Sequence, residues 1–168
     1  MRAQRVQAVG GLPGHSQALT ELRGFVLISG SCHCGNITFS LAWPGDAPEI
    51  PARACSCSFC LRHGGLWTSN AEATITVTVA SAALVSKYSF GTKTAIFHVC
   101  SRCGVVPIVT CELDGQLYAV ANVNVFQNVD PARIRRAAAD FEAEDVASRL
   151  ARRKRNWIPN ARIVEAGT

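Results

Sequence analysis

Thr74-Ile75-Thr76-Val77-Thr78-Val79 alternates a hydroxyl-bearing side chain with an aliphatic one. Successive side chains of a strand point to opposite faces, so this stretch predicts a half-buried strand. The same period of two recurs upstream, where Ile37, Phe39 and Leu41 alternate with Thr38 and Ser40, behind a first strand expected at Phe25 to Ile28. Downstream, Leu84 to Phe90 and Thr94 to Val99 flank a turn at Gly91. Val105 to Cys111 and Gln116 to Val123 flank Asp114-Gly115, a strong hairpin signal because Gly accepts positive φ. Pro107 restricts the first of these arms to an edge or shortens it. Asp130-Pro131 has the form of an N-cap followed by Pro at the first helical position, and Arg135 to Phe141 is expected to return as a strand. The longer helix is expected at about 144–157, with Val146, Leu150 and Trp157 on one side and Asp145 four residues before Arg149. The expectation is a mainly β protein of antiparallel strands with a C-terminal helix.

The 168 residues are 48% hydrophobic and 17% charged, which excludes a disordered chain and allows one domain with a real core. The longest uncharged stretch, Gly24 to Gly45, is broken by Cys, His, Asn and Pro, so it is not a membrane span. Residues 1–23 lack the apolar segment of a signal peptide, and Gly10, Gly11, Pro13 and Gly14 discourage a helix. A disordered tail is expected over 1–23 and a single domain over 24–168. Of the net charge of +5, residues 131–168 hold +4, so the basic surplus belongs to the C-terminal segment. That distribution points away from a nucleic-acid-binding body. The run Arg152-Arg153-Lys154-Arg155 is expected to be a solvated helix end complementing the helix dipole.

Eight cysteines are the informative count. Seven fall in three tight groups: Cys32-His-Cys34, Cys55-Ser-Cys57-Ser-Phe-Cys60 and Cys100-Ser-Arg-Cys103. With no secretory signal, a reducing, cytoplasmic setting is expected, and clustered cysteines there point to metal. Short spacings let a tight turn bring two sulfurs to one tetrahedral centre, and Gly35 and Gly104 follow their pairs where such a turn needs positive φ. Two pairs make a closed site of four thiolates, whereas a triple leaves a fourth position open. The natural partition joins Cys32, Cys34, Cys100 and Cys103, and sets Cys55, Cys57 and Cys60 apart. Spacing leaves open that the triple shares a cysteine with either pair. Zinc is the expected metal, with iron–sulfur the alternative. Cys111, inside a strand, is expected to be a small core hydrophobe.

Gly30-Ser-Cys-His-Cys-Gly35, Cys55-Ser-Cys-Ser-Phe-Cys60-Leu-Arg-His-Gly-Gly65 and Cys100-Ser-Arg-Cys-Gly104 resemble, in order and spacing, the glutathione-dependent formaldehyde-activating enzyme family, which also contains centromere protein V. The resemblance covers roughly Gly30 to Phe126. It implies an Mss4-like fold of coiled antiparallel β-sheets, a structural zinc on Cys32, Cys34, Cys100 and Cys103, and a catalytic zinc on Cys55, Cys57 and Cys60. Leu61 departs from the basic residue that many members carry there, and Arg62 stands next to it. The implied partners are a small thiol, such as glutathione, and an aldehyde. The implied reaction is of the carbon–sulfur lyase type, forming S-hydroxymethylglutathione from glutathione and formaldehyde.

A free thiol is little ionised at neutral pH, so such chemistry needs a thiol activator or a Lewis acid. His63, three residues after Cys60, is the candidate for proton transfer or a fourth ligand, against the reading of a loop histidine that bonds backbone. His33 and His98 are expected as structural neighbours of the closed site. Gly64-Gly65 offers N–H groups to a substrate carboxylate or is a plain turn, and Trp67 is a core aromatic or a pocket wall. The alternative function is a non-catalytic zinc module that binds a protein or nucleic acid. The open triple argues against it, because a binding module needs only the closed site.

Overall fold

The structure, a computed structural model, describes residues 21–22, 24–45 and 49–166. In chain order the strands are β1 (Glu21–Leu22), β2 (Phe25–Ser31), β3 (Ile37–Pro44), β4 (Ile50–Cys55), β5 (Leu66–Thr68), β6 (Thr74–Val79), β7 (Val85–Tyr88), β8 (Ile96–Cys100), β9 (Ile108–Leu113), β10 (Gln116–Asn122), β11 (Ile134–Ala139) and β12 (Arg162–Glu165). The helices are α1 (Ser58–His63) and α2 (Val146–Asn156). Two sheets result, ordered β1-β2-β3-β6-β12 and β11-β4-β5-β10-β9-β8-β7. Pairing is antiparallel apart from two parallel edges, β12 on β6 and β11 on β4. The mainly β reading holds.

The alternation in β6 does what the pattern predicts: Ile75, Val77 and Val79 are buried. Ile75 and Val77 join Ile28, Ile37 and Leu41 in a core shared with Ile108, Ala119 and Ala121 of the seven-stranded sheet. The other face of that sheet carries Val109, Cys111, Tyr118 and Val120 in a second cluster with Trp157 and, at its border, Leu150. One sheet thus has two buried faces, which is why β9 is apolar without alternation. The β9–β10 hairpin turns at Asp114 and Gly115, with φ of 52° and 74°. Pro107 lies just before β9, so that arm is shortened as expected.

Five elements went unforeseen: β1, β4, α1, β5 and β12. Glu21–Leu22 pairs with β2 although it falls in the stretch expected as tail; the rest of 1–23 lies outside the described residues. The expectations for the helix need two corrections. Val146 is 46% exposed, so the apolar stripe begins at Leu150. Asp145 does not pair with Arg149; it caps α2, accepting from the Ser148 N–H at 2.8 Å. No helix among the described residues is long and apolar enough to cross a membrane.

Candidate metal centres and the adjoining cleft

Cys32 and Cys34 sit in the turn between β2 and β3, while Cys100 ends β8 and Cys103 lies in the turn after it. Each turn is closed by a glycine N–H donating back to the first cysteine's carbonyl, Gly35 to Cys32 at 3.0 Å and Gly104 to Cys100 at 2.7 Å. Both glycines have φ near +80°, at 80° and 75°, which a side chain resists. The two turns meet, and all four Sγ atoms lie within 4.8 Å of one another. Sulfurs about 2.3 Å from a tetrahedral centre stand about 3.8 Å apart. Here Cys32–Cys34 measures 3.8 Å and Cys34–Cys100 3.4 Å. Donor type, number and spacing therefore fit a zinc-sized ion.

Cys55 ends β4, Cys57 is the N-cap of α1 and Cys60 lies in its first turns, so one tight strand-to-helix corner gathers the three sulfurs within 4.8 Å. The corner is held by N–H groups that donate to sulfur. The Cys60 N–H reaches Cys57 Sγ at 3.5 Å, and the Trp67 Nε1–H reaches Cys60 Sγ at 3.2 Å. Gly65 allows the second contact, since a Cβ there would fall 2.8 Å from the indole. Trp67 thus serves both as core and as wall.

The sulfurs compete for protons. Hydrogen bonding from Cys60 holds Cys55 down to about 5 and pushes Cys60 up. In the other group burial pushes Cys32 up and Cys100 up to about 12. Burial also works upward on Cys103, but the N–H groups of Val105 and Cys34 bring it down to about 6. Sulfurs this close cannot all ionise beside one another; a bound cation in place of the shared protons removes that conflict.

Among the described residues no histidine lines the hollow beside the triple. His63 is exposed at the end of α1, its ring 4.4 Å from that of Phe59, and it lines a hollow with His33 and Cys103 rather than the one beside the triple. His98 is buried, with Nε2 2.8 Å from Thr110 Oγ1, and burial pulls it down to about 4. The N–H groups of Gly64 and Gly65 both cap α1 by donating to the Cys60 carbonyl, so neither is offered to a carboxylate. Cys111 is buried in β9, as expected.

The triple lines a cleft of about 690 Å³ with apolar walls that include Phe97, Val120 and Trp157. Five arginines, from positions 53, 62, 149, 152 and 153, line it against two acids, Asp140 and Glu142. This corrects the expectation of a solvated basic run. Arg153 is buried at 7% exposure and Arg152 grips Glu144 through two bonds of 2.8 Å; Lys154 and Arg155 stay outside. A signal for Arg153 was present, since it falls three residues after Leu150 and four before Trp157, on the apolar stripe.

A family model described as glutathione-dependent formaldehyde-activating enzyme matches residues 27–143. The chain belongs to this family. The match spans both cysteine groups and the cleft wall from β4 to Glu142, and it stops before α2. A crystal structure of a Rhodobacter sphaeroides protein is similar at 26% identity, covering 62% of this chain and 92% of that one, with a TM-score of 0.42.

Proposed function

We propose that this formaldehyde-activating family member joins a small thiol to an aldehyde in the cleft beside Cys55, Cys57 and Cys60. Glutathione and formaldehyde are the pair that the family description carries. The thiol sulfur bonds to the aldehyde carbon, the S–H bond breaks, and the proton passes to the carbonyl oxygen. Nothing is oxidised or reduced. Cleavage of the product is the lyase direction of the same step.

The observation that carries this reading is that the cysteine triple, with one ligand fewer than a closed site, forms part of a cleft wall. We infer two zinc ions: one held by Cys32, Cys34, Cys100 and Cys103, and one by Cys55, Cys57 and Cys60. Bound to the triple, zinc supplies an open position that favours an ionised thiol or polarises a carbonyl. The chain's own residues do the rest. Trp67 fixes Cys60 through its Nε1–H. Phe97, Val120 and Trp157 keep the walls apolar, and the arginines favour an anionic substrate. His63, which lines a different hollow, has no part in this scheme. A reducing, cytoplasmic setting belongs to the same proposal, since all eight cysteines are free thiols.

The test is NMR detection of the S-hydroxymethyl adduct from formaldehyde and a panel of thiols, against the spontaneous rate. The protein should accelerate formation, lose the effect on chelation and regain it with zinc. A rate no higher than the spontaneous one for every thiol refutes the proposal.

A further inference from the structure

We propose that Arg153 is the carboxylate-binding residue of the cleft, so that the thiol taken up beside the cysteine triple is one that carries an acid group. This rests on the reaction proposed above. Arg153 lines the cleft yet is 7% exposed. A guanidinium stays charged, and a buried charge is costly unless an opposite charge or a full set of hydrogen bonds meets it. Neither is supplied by the protein. Nη1 donates to the Thr94 carbonyl at 2.9 Å and to its Oγ1 at 2.8 Å, and contacts Cys111 Sγ at 3.5 Å. The Trp157 ring lies 4.8 Å from the guanidinium carbon. Nε is buried and has no partner.

Among the described residues no carboxylate pairs with Arg153. Glu144 is held by Arg152, and Asp114 by Lys154 at 2.6 Å. Asp140 and Glu142 are exposed at the rim. The neighbouring cations worsen the imbalance: burial, and to a smaller extent repulsion from Arg149 and Arg152, pulls Arg153 below the ordinary arginine value against the raising effect of Cys111. What the group lacks is an anion. A carboxylate matches the guanidinium fork in shape and charge. Nη1 is already anchored on Thr94, so the guanidinium is held in place before a ligand arrives.

Arg153 comes from α2 at 146–156, outside the residues 27–143 that the family model matches. The shared part of the chain supplies the cysteines, and a segment beyond it supplies the residue that selects the thiol.

The test uses the purified full-length protein with its bound metal and a ligand that cannot react. S-methylglutathione and its dimethyl ester are titrated by calorimetry, with zinc content and circular dichroism followed for each protein. The diacid should bind at least about tenfold tighter than the ester, and Arg153→Gln should remove that difference while zinc content is unchanged. Equal binding of acid and ester by the native protein overturns the proposal. So does a folded Arg153→Gln that keeps the preference. Should the glutamine variant not fold, Arg153→Lys carries the test: it keeps the charge without the fork, so a reduced preference supports the anchor and an undiminished one overturns it. Adduct formation separates the two proposals. Catalysis with acid and neutral thiols alike removes the anchor and leaves the reaction. Tight diacid binding with no catalysis removes the reaction and leaves the anchor.

Discussion

At the scale of single residues, the hydrogen bond from Trp67 to Cys60 is the clearest link between packing and chemistry. Its 3.2 Å contact orients a sulfur that would hold metal, and the indole also fills the second core cluster. Trp67→Phe keeps most of the apolar volume and removes only the donor. Outer contacts of this kind typically change metal affinity by about 10–100-fold. The variant should fold, bind zinc at the triple about tenfold more weakly in a chelator competition, and leave the four-cysteine group unaffected. Unchanged affinity at the triple would refute the role. The residues also show what a sequence conceals. Seven cysteines were legible because short spacings and trailing glycines are local signals. His63 lines a different hollow, and distance along the chain does not say which way a short helix turns its last residue. Arg153 was hidden by its neighbours, since three of the four residues in the basic run have charges that stay near water and one does not.

At the scale of elements, the attachment of α2 decides whether the cleft has a second wall. The helix is short, so its stability comes from docking rather than propensity. Leu150 and Trp157 dock on one side, and Glu144 just before the helix binds Arg152 within it. Arg152 also stacks on Phe141 at 3.8 Å. Hydrogen bonds from Arg152 outweigh the opposing effect of burial and, with the charges of Arg152, Arg149 and Arg153, hold the Glu144 carboxyl below its usual 4.5. A carboxyl with a depressed folded-state pKa binds fewer protons folded than unfolded. Its stabilisation is therefore present above about pH 4.5 and is lost as pH falls through the folded value. Glu144→Gln should cost about 1–2 kcal/mol at neutral pH, and the difference in Tm from the native protein should shrink steadily in acid. A difference that persists undiminished at about pH 3 would show that the pair does not carry it. The strong elements were legible from their period: β3, β6 and the β9–β10 hairpin. β4 and β5 were not, because Ile50-Pro-Ala-Arg-Ala-Cys55 has small side chains and Pro51, and Leu66–Thr68 is three residues long. Besides each other, their pairing partners come from far along the chain, β11 and β10, and no local pattern states that.

At the scale of the whole molecule, the two cysteine groups stand in different mechanical positions, and they should fail differently. The four-cysteine group joins the β2–β3 turn of one sheet to the end of β8 in the other. Cys32 and Cys100 are 1% and 0% exposed inside the core that the sheets share. Metal binding across that seam contributes directly to folding free energy. Cys100→Ser removes one ligand, buries a hydroxyl and leaves three sulfurs without their cation, so the protein should be recovered unfolded or aggregated. The triple spans a single corner between β4 and α1. Serine at position 57 remains a good N-cap, able to accept from the Cys60 N–H as the thiol now does. Cys57→Ser should therefore keep its circular dichroism and lose about half of its zinc, together with the catalysed rate of adduct formation. Both variants are compared by zinc content, circular dichroism and the NMR rate. An unfolded Cys57→Ser beside a folded Cys100→Ser would exchange the structural and catalytic assignments. A Cys57→Ser protein that keeps its full rate would mean that the triple does not serve the reaction, however well its position in the cleft suits it.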